Sequence, residues 1–270
     1  MPKGTWGSDE DADIRREKIF DPMVSNLEIR NLSFGYGKKF SLSIPHLTAN
    51  QGVTCLLGPN GAGKSTLFRL LTTSTMPPSH SVFLDGRDIR TCLKEFRHAL
   101  GFLPQRVGLV NNYRVSEMLE YIAWMKGIPR NERRRAVAEA ADKCDVTRFL
   151  QHQVGTLSGG TLRRVGIAQA IINSPRVLIL DEPTAGLDMI QQSQLHLLVK
   201  TISSSAVVVV STHSSADVSE MGNDVTVMNA GRILFTGSVA ELASSNGSSL
   251  REGVEMGYRR MLDDQFHESS

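Results

Sequence analysis

Residues 58–66 read GPNGAGKST and constrain the chain more than any other stretch. They fit G-x-x-x-x-G-K-[ST], with Gly58, Gly63, Lys64 and Ser65 at the fixed positions. The run before them, 53–57, is β-branched and apolar and predicts a buried strand. The run after them, 67–71, carries apolar residues at helical spacing. Strand, glycine loop and helix are the setting in which such a loop wraps a phosphate. Gly58, Gly61 and Gly63 have no Cβ, so backbone N–H groups can curl around phosphate oxygens. The helix N-terminus adds its dipole and its free N–H groups. Lys64 then reaches the β- and γ-phosphates and Ser65 offers its hydroxyl to Mg²⁺. The expected nucleotide loop is therefore Gly58, Pro59, Asn60, Gly61, Ala62, Gly63, Lys64, Ser65 and Thr66. By itself it says nothing of what the nucleotide drives.

The rest of the composition narrows the setting. A chain of 270 residues suits one or two domains, and 40% apolar residues suffice for a core. A net charge of +2 gives no ground for expecting a nucleic-acid partner. Cys55, Cys92 and Cys144 are odd in number and far apart, which suits a reducing compartment rather than a disulfide framework or a zinc site. The first residues lack the apolar core of a signal peptide. Apolar runs such as 177–180 and 206–210 fall far short of the ~20 residues that span a bilayer. If the protein acts at a membrane, another chain crosses it.

Along the chain, 1–25 is a polar, charged extension expected to be poorly ordered. Residues 27–34 alternate apolar and polar as a half-buried strand does, and a second strand is expected over 40–44. Further strands are expected over 82–84, 99–103, 177–180, 206–211, 225–228 and 233–235. Between 115 and 150 the period becomes helical, with Met118, Leu119, Ile122 and Met125, then Val137, Ala140, Ala141 and Cys144. Gly127 and Pro129 separate two helices there, and Arg133, Arg134 and Arg135 form a solvated face or a partner face on the second. We expect a helical subdomain over about 106–173, inserted in an α/β core over 26–243. Ser238 and Glu241 form a capping box for a last short helix, and 244–270 is a polar tail.

Other candidate chemistry stands at strand ends. Asp181 and Glu182 follow the apolar run 177–180, at the sheet edge where parallel α/β folds bind ligands. Asp181 suits a Mg²⁺ ligand, and Glu182 can accept a proton from an attacking water. Gln105 follows a strand and Pro104, and its amide could touch Mg²⁺ or that water. His213 ends a valine-rich strand expected beside the one before Asp181, within reach of a γ-phosphate. Ser158, Gly159 and Gly160 open a helix and make a second anion site. One nucleotide needs only one such site per chain, so the second points to the nucleotide of another subunit.

Taken together, the chain resembles an ATP-binding subunit of an ATP-binding cassette (ABC) transporter. The motifs come in the family's order: GPNGAGKST at 58–66, Gln105, LSGG at 157–160, VLILDEP at 177–183, AGLD at 185–188 and His213. The resemblance spans roughly 27–242. It implies a P-loop NTPase α/β fold, a mixed sheet with an antiparallel N-terminal β subdomain, and an inserted α-helical subdomain carrying LSGG. It implies two cassettes, identical or not, that sandwich ATP and Mg²⁺ head to tail, with Ser65, Gln105 and Asp181 on the metal. Glu182, His213 and Gln105 are the implied catalytic set, and Ser158, Gly159 and Gly160 act across the dimer. Tyr36 stands where the family stacks an aromatic ring on adenine, with Phe34 the alternative. The implied partner is a separate membrane permease, with the chain at the cytoplasmic face of the membrane. The stretch from 115–128 through LSGG at 157–160, with no C-terminal regulatory domain expected, resembles bacterial exporter subunits. A soluble, non-transport ABC ATPase acting on ribosomes or DNA is the alternative. Thr161 departs from the family's usual glutamine, and His80 stands near a usual glycine.

Overall fold

The structure, a computed structural model, describes residues 25–37, 40–244 and 249–268. Apart from Ser25, the expected N-terminal extension lies outside them. Five strands form a parallel block: β3 (Gly52–Leu57), β6 (Leu100–Leu103), β7 (Val177–Asp181), β8 (Val207–Thr212) and β9 (Asp224–Asn229), side by side in the order β9-β3-β8-β7-β6. Their unbroken apolar runs reflect a sheet covered on both faces. Side-chain alternation divides them, since Leu178, Leu180, Val208 and Val210 enter one core and Val177, Ile179, Val207 and Val209 the other. Helix α1 (Lys64–Leu71) lays Leu67, Phe68, Leu70 and Leu71 into the second core.

An antiparallel block joins the same ten-stranded sheet. It holds β1 (Asn26–Gly35), β2 (Ser41–Asn50), β4 (Val82–Leu84) and β5 (Arg87–Asp88) in the order β5-β4-β1-β2. Strand β10 (Arg232–Ser238) links the blocks, antiparallel to β9 and touching β2 at Arg232 and Ser43. The β2 strand starts after Phe40 and runs beyond the expected end at Ile44, past Pro45 to Asn50. The ladder accommodates Pro45 by leaving out the Asn31–Pro45 pair, and Asn31 takes a left-handed φ of 47°. Pro45 has no N–H to donate, so a break opposite it gives up no bond that Pro45 could have donated. His80 is also left-handed, at φ 58°, which accounts for a glycine suiting that position.

Helices α3 (Val115–Met125), α4 (Arg130–Lys143) and α5 (Gly159–Ile171) pack on one another. The buried stripe of α3 is Val115, Met118, Leu119 and Ala123; Met125, expected on that stripe, is 61% exposed. In α4, Arg134 and Arg135 face solvent, while Arg133 Nε donates to Ile128 O. Helix α6 (Met189–Ser203) brings Leu195 and Val199 to the first core. Helices α2 (Leu93–Ala99) and α7 (Ser215–Met221) were not evident from periodicity. The Ser238–Glu241 capping box opens α8 (Val239–Leu242) as expected. The polar tail holds α9 (Leu250–Glu268), which packs on α7 and α8 with Val254 fully buried. Among the described residues no helix is long and apolar enough to cross a membrane.

Candidate nucleotide site

The loop between β3 and α1 is shaped by what cannot fit there. A Cβ on Gly58 would lie 2.3 Å from the Met228 carbonyl oxygen. Gly61 and Gly63 hold φ of 83° and 106°, which side chains resist. No side chain caps α1, so the N–H groups of its first turn lack partners from the helix and face the loop. Lys64 is buried and folds back, with Nζ 2.5 Å from Gly58 O and 3.2 Å from Pro59 O. Burial pushes its pKa down, against the pull of the Glu182 and Asp181 carboxylates. A cavity of about 240 Å³ opens over this loop, and Gln105, Asp181 and Glu182 border it from the other side. The loop, Gln105 and the two acids are therefore brought together. Phe40, not singled out in the sequence, also borders the cavity, with its ring edge 3.0 Å from where a Gly63 Cβ would stand.

The acids are held by β8. Ser211 Oγ donates to Asp181 Oδ1 at 2.5 Å and accepts from Glu182 N at 2.9 Å. Glu182 takes φ 49°, a conformation that costs a non-glycine residue about 1–3 kcal/mol and persists only when its surroundings impose it. Glu182 Oε2 lies 2.8 Å from His213 Nδ1, and Oε1 lies 3.9 Å from Lys64 Nζ. His213 is brought to the site through this contact rather than by lining the cavity.

Two buried networks back the site, and sequence reasoning missed both. Asp217 accepts from Thr184 Oγ1 and Thr212 Oγ1, both at 2.7 Å, and pairs with His196 Nε2 at 2.9 Å. Thr184 and Thr212 lie close in sequence to Glu182 and His213, so this network ties the two strand ends to α6 and α7. Arg163, buried in α5, sends its guanidinium to main-chain carbonyls alone. The available signal was an Arg–Arg pair inside the apolar run 162–171. Only one of the two finds solvent-side company, Arg164 pairing with Asp145 at 2.7 Å.

The remaining candidates lie outside the cavity lining. Tyr36 is 45% exposed, stacks edge-on against Phe34 with centroids 5.2 Å apart, and has its hydroxyl 3.4 Å from Arg69 Nη1 on α1. Ser158 and Gly159 are exposed at the start of α5. Ser158 caps that helix, accepting from Thr161 N at 3.3 Å, and its hydroxyl pairs with Thr161 Oγ1 at 2.9 Å. Thr161 therefore adds a hydroxyl contact to the cap. Gly160 is buried, and a Cβ there would meet the Gln191 side-chain oxygen at 2.3 Å.

Comparison with known proteins fits this geometry. The family model described as ABC transporter matches residues 42–185. The methionine import ATP-binding protein MetN of Leifsonia xyli subsp. xyli (strain CTCB07) is 34% identical over 234 residues, covering 83% of this chain and 68% of its own length. The probable multidrug ABC transporter ATP-binding protein YbhF of Escherichia coli (strain K12) is 31% identical over 78% of this chain, which spans only 37% of YbhF. Among solved structures, cbiO1 from Clostridium perfringens, part of the ABC transporter complex cbiONQ, superposes with a TM-score of 0.72 at 28% identity, over 81% of this chain and 90% of that one.

Proposed function

This chain belongs to the ABC transporter family, whose ATPase cassettes bind and hydrolyse ATP, and on that premise we propose that it pairs with a second cassette and drives a separate membrane permease. The observation that carries this reading is the split between two anion sites. One cavity gathers the phosphate loop, Gln105, Asp181 and Glu182, while Ser158 and Gly159 stay exposed outside it. We read 26–243 as the cassette, with its helical subdomain at about 106–173.

In this reading the first-turn amides of α1 and Lys64 hold the β- and γ-phosphates, which replace Gly58 O and Pro59 O as partners of Nζ. Ser65, Gln105 and Asp181 border the same cavity and offer a hydroxyl, an amide oxygen and a carboxylate. Such hard oxygen donors suit Mg²⁺. When bound, the ion would neutralise charge on the phosphate oxygens. Glu182 takes the proton of the attacking water, and His213 holds the Glu182 carboxylate in place and reaches the γ-phosphate. Tyr36 stacks on adenine. Ser158, Gly159 and Gly160 close over the partner subunit's nucleotide.

The direction we infer is export, on the likeness of 115–160 to exporter subunits. The import named for MetN is the specific reason to test it, by following ATP-driven uptake into inside-out vesicles. Cell fractionation tests the permease itself. The chain should sediment with membranes when a multi-span partner is present and remain in the supernatant when that partner's gene is deleted. Sedimentation with ribosomes or nucleoid instead would favour a non-transport ATPase.

A further inference from the structure

Arg163 is 5% exposed, and its described hydrogen bonds all go to backbone carbonyls of two loops. On one side Nη1 donates to Pro104 O at 3.0 Å and Gln105 O at 2.8 Å. On the other, Nη2 donates to Asp181 O at 2.5 Å and to Glu182 O, and Nε donates to Pro183 O at 3.1 Å. A guanidinium is a rigid planar fork with five N–H donors. Here it spans the loop after β6 and the loop after β7 in one step. Burying that charge is costly and pushes its pKa down, and the nearby Asp181 and Glu182 charges offset only part of the cost. A neutral apolar side chain could fill the same space, but it could not hold both loops to one helix.

The helix that carries the fork begins at Gly159, capped by Ser158 five residues upstream of Arg163. α5 is a continuous hydrogen-bonded element over that distance, so a tilt at its N-terminus moves the guanidinium and, through it, both loops. We propose that Arg163 is a positioning residue that couples the Ser158–Gly160 end of α5 to the placement of Gln105 and Glu182 in the same chain. Engagement of Ser158 by the partner subunit's nucleotide then sets the catalytic loops around the chain's own nucleotide, so the two sites fire together. This rests on the reading that Ser158 acts across the dimer and that Glu182 is the general base.

Arg163→Lys tests it in the full-length protein. Lysine keeps the charge but has no planar fork, so it can hold one loop and not both. Loss of alignment at a reacting centre costs about ten- to a hundredfold. We expect kcat to fall by at least that lower figure, KM for ATP to stay within about twofold, and the Hill coefficient to drop from about 2, its ceiling for two sites, towards 1. A purely structural role would lower the melting temperature and leave kcat per folded molecule and cooperativity unchanged, and that result overturns the proposal. Should Arg163→Lys fail to fold, backbone hydrogen exchange on the wild-type protein decides. Protection of 104–106, 158–163 and 181–183 should rise with one common Mg-ATP midpoint, and separate midpoints overturn the coupling. Ser158→Ala and Glu182→Gln separate the layers. If both retain full hydrolysis, the underlying reading fails; if both lose it while Arg163→Lys behaves as wild type, only the coupling fails.

Discussion

His213 Nδ1 stands 2.8 Å from Glu182 Oε2, at the ends of the neighbouring strands β8 and β7. The acid is buried, while the histidine side chain is 66% exposed. His213 is thus anchored at one nitrogen with its ring towards solvent, a placement that orients the carboxylate while leaving the ring able to meet a phosphate. We expect His213→Ala to lower kcat by about ten- to a hundredfold through lost alignment of Glu182. ATP affinity should change little, because the phosphate loop is untouched. Steady-state hydrolysis together with equilibrium binding of a fluorescent ATP analogue checks this; weaker binding with unchanged kcat would place His213 in nucleotide capture instead.

Tyr36 and Phe34 meet edge to face, so removing either ring also frees the other. We expect Tyr36→Ala to weaken ATP binding without abolishing hydrolysis. An aromatic pair contributes about 0.5–1.5 kcal/mol beyond its buried area. Since roughly 1.4 kcal/mol is tenfold, KM should rise about tenfold at most. An unchanged KM for Tyr36→Ala with a raised KM for Phe34→Ala would transfer the adenine contact to Phe34.

Asp217 offers a pH test. Burial pushes its carboxyl up, but hydrogen bonds from His196, Thr212 and Thr184 and the charge of His196 outweigh that and hold it below the usual aspartate range. A depressed folded pKa means that its stabilisation is fully present above the unfolded value of about 3.9 and is lost as pH falls through the lower folded value. In Asp217→Asn the amide nitrogen cannot accept, so one side of the network is left unsatisfied. We expect a loss of about 1–3 kcal/mol in urea unfolding at pH 7. The gap to wild type should not shrink above about pH 5 and should narrow only below about pH 4. A gap that is undiminished at about pH 2 would contradict the assignment.

What could be read from the sequence was what is local. The phosphate loop declares itself because its glycines, lysine and flanking strand and helix are contiguous. Glu182, Gln105 and His213 could be placed at one sheet edge because each follows an apolar run. Arg163 and Asp217 could not be read, because their meaning lies in partners far along the chain. Arg163 bonds to Pro104 across 59 residues and Asp217 to Thr184 across 33. Local signals also misled. The second strand is expected to end at Ile44, yet β2 passes Pro45 because Asn31 bends opposite. The stretch 244–270 reads as a polar tail, yet α9 forms there and uses Gly253 and Gly257 to approach the Ala243 and Leu242 carbonyls, where any Cβ would collide. The stripe of Val254, Tyr258 and Met261, at helical spacing, was the signal for α9 within that polar composition.

Glu182→Gln separates binding from chemistry. The amide keeps the size of the carboxylate but cannot take a proton from water. Lys64, Ser65 and Asp181 are unchanged, so Mg-ATP should still bind. Removing a negative charge 3.9 Å from Lys64 Nζ also leaves that ammonium with the phosphates as its main counter-charge. We expect hydrolysis to fall by about 10² or more, the general-base contribution, while ATP sustains a lasting dimer. Lys64→Ala should instead lose binding and hydrolysis together, since the only side-chain cation folded onto Gly58 O and Pro59 O among the described contacts is gone. Size-exclusion chromatography with and without Mg-ATP, alongside phosphate release, distinguishes the two variants. A Glu182→Gln protein that hydrolyses ATP at the wild-type rate would remove Glu182 from the base role and leave water activation to His213 or Gln105.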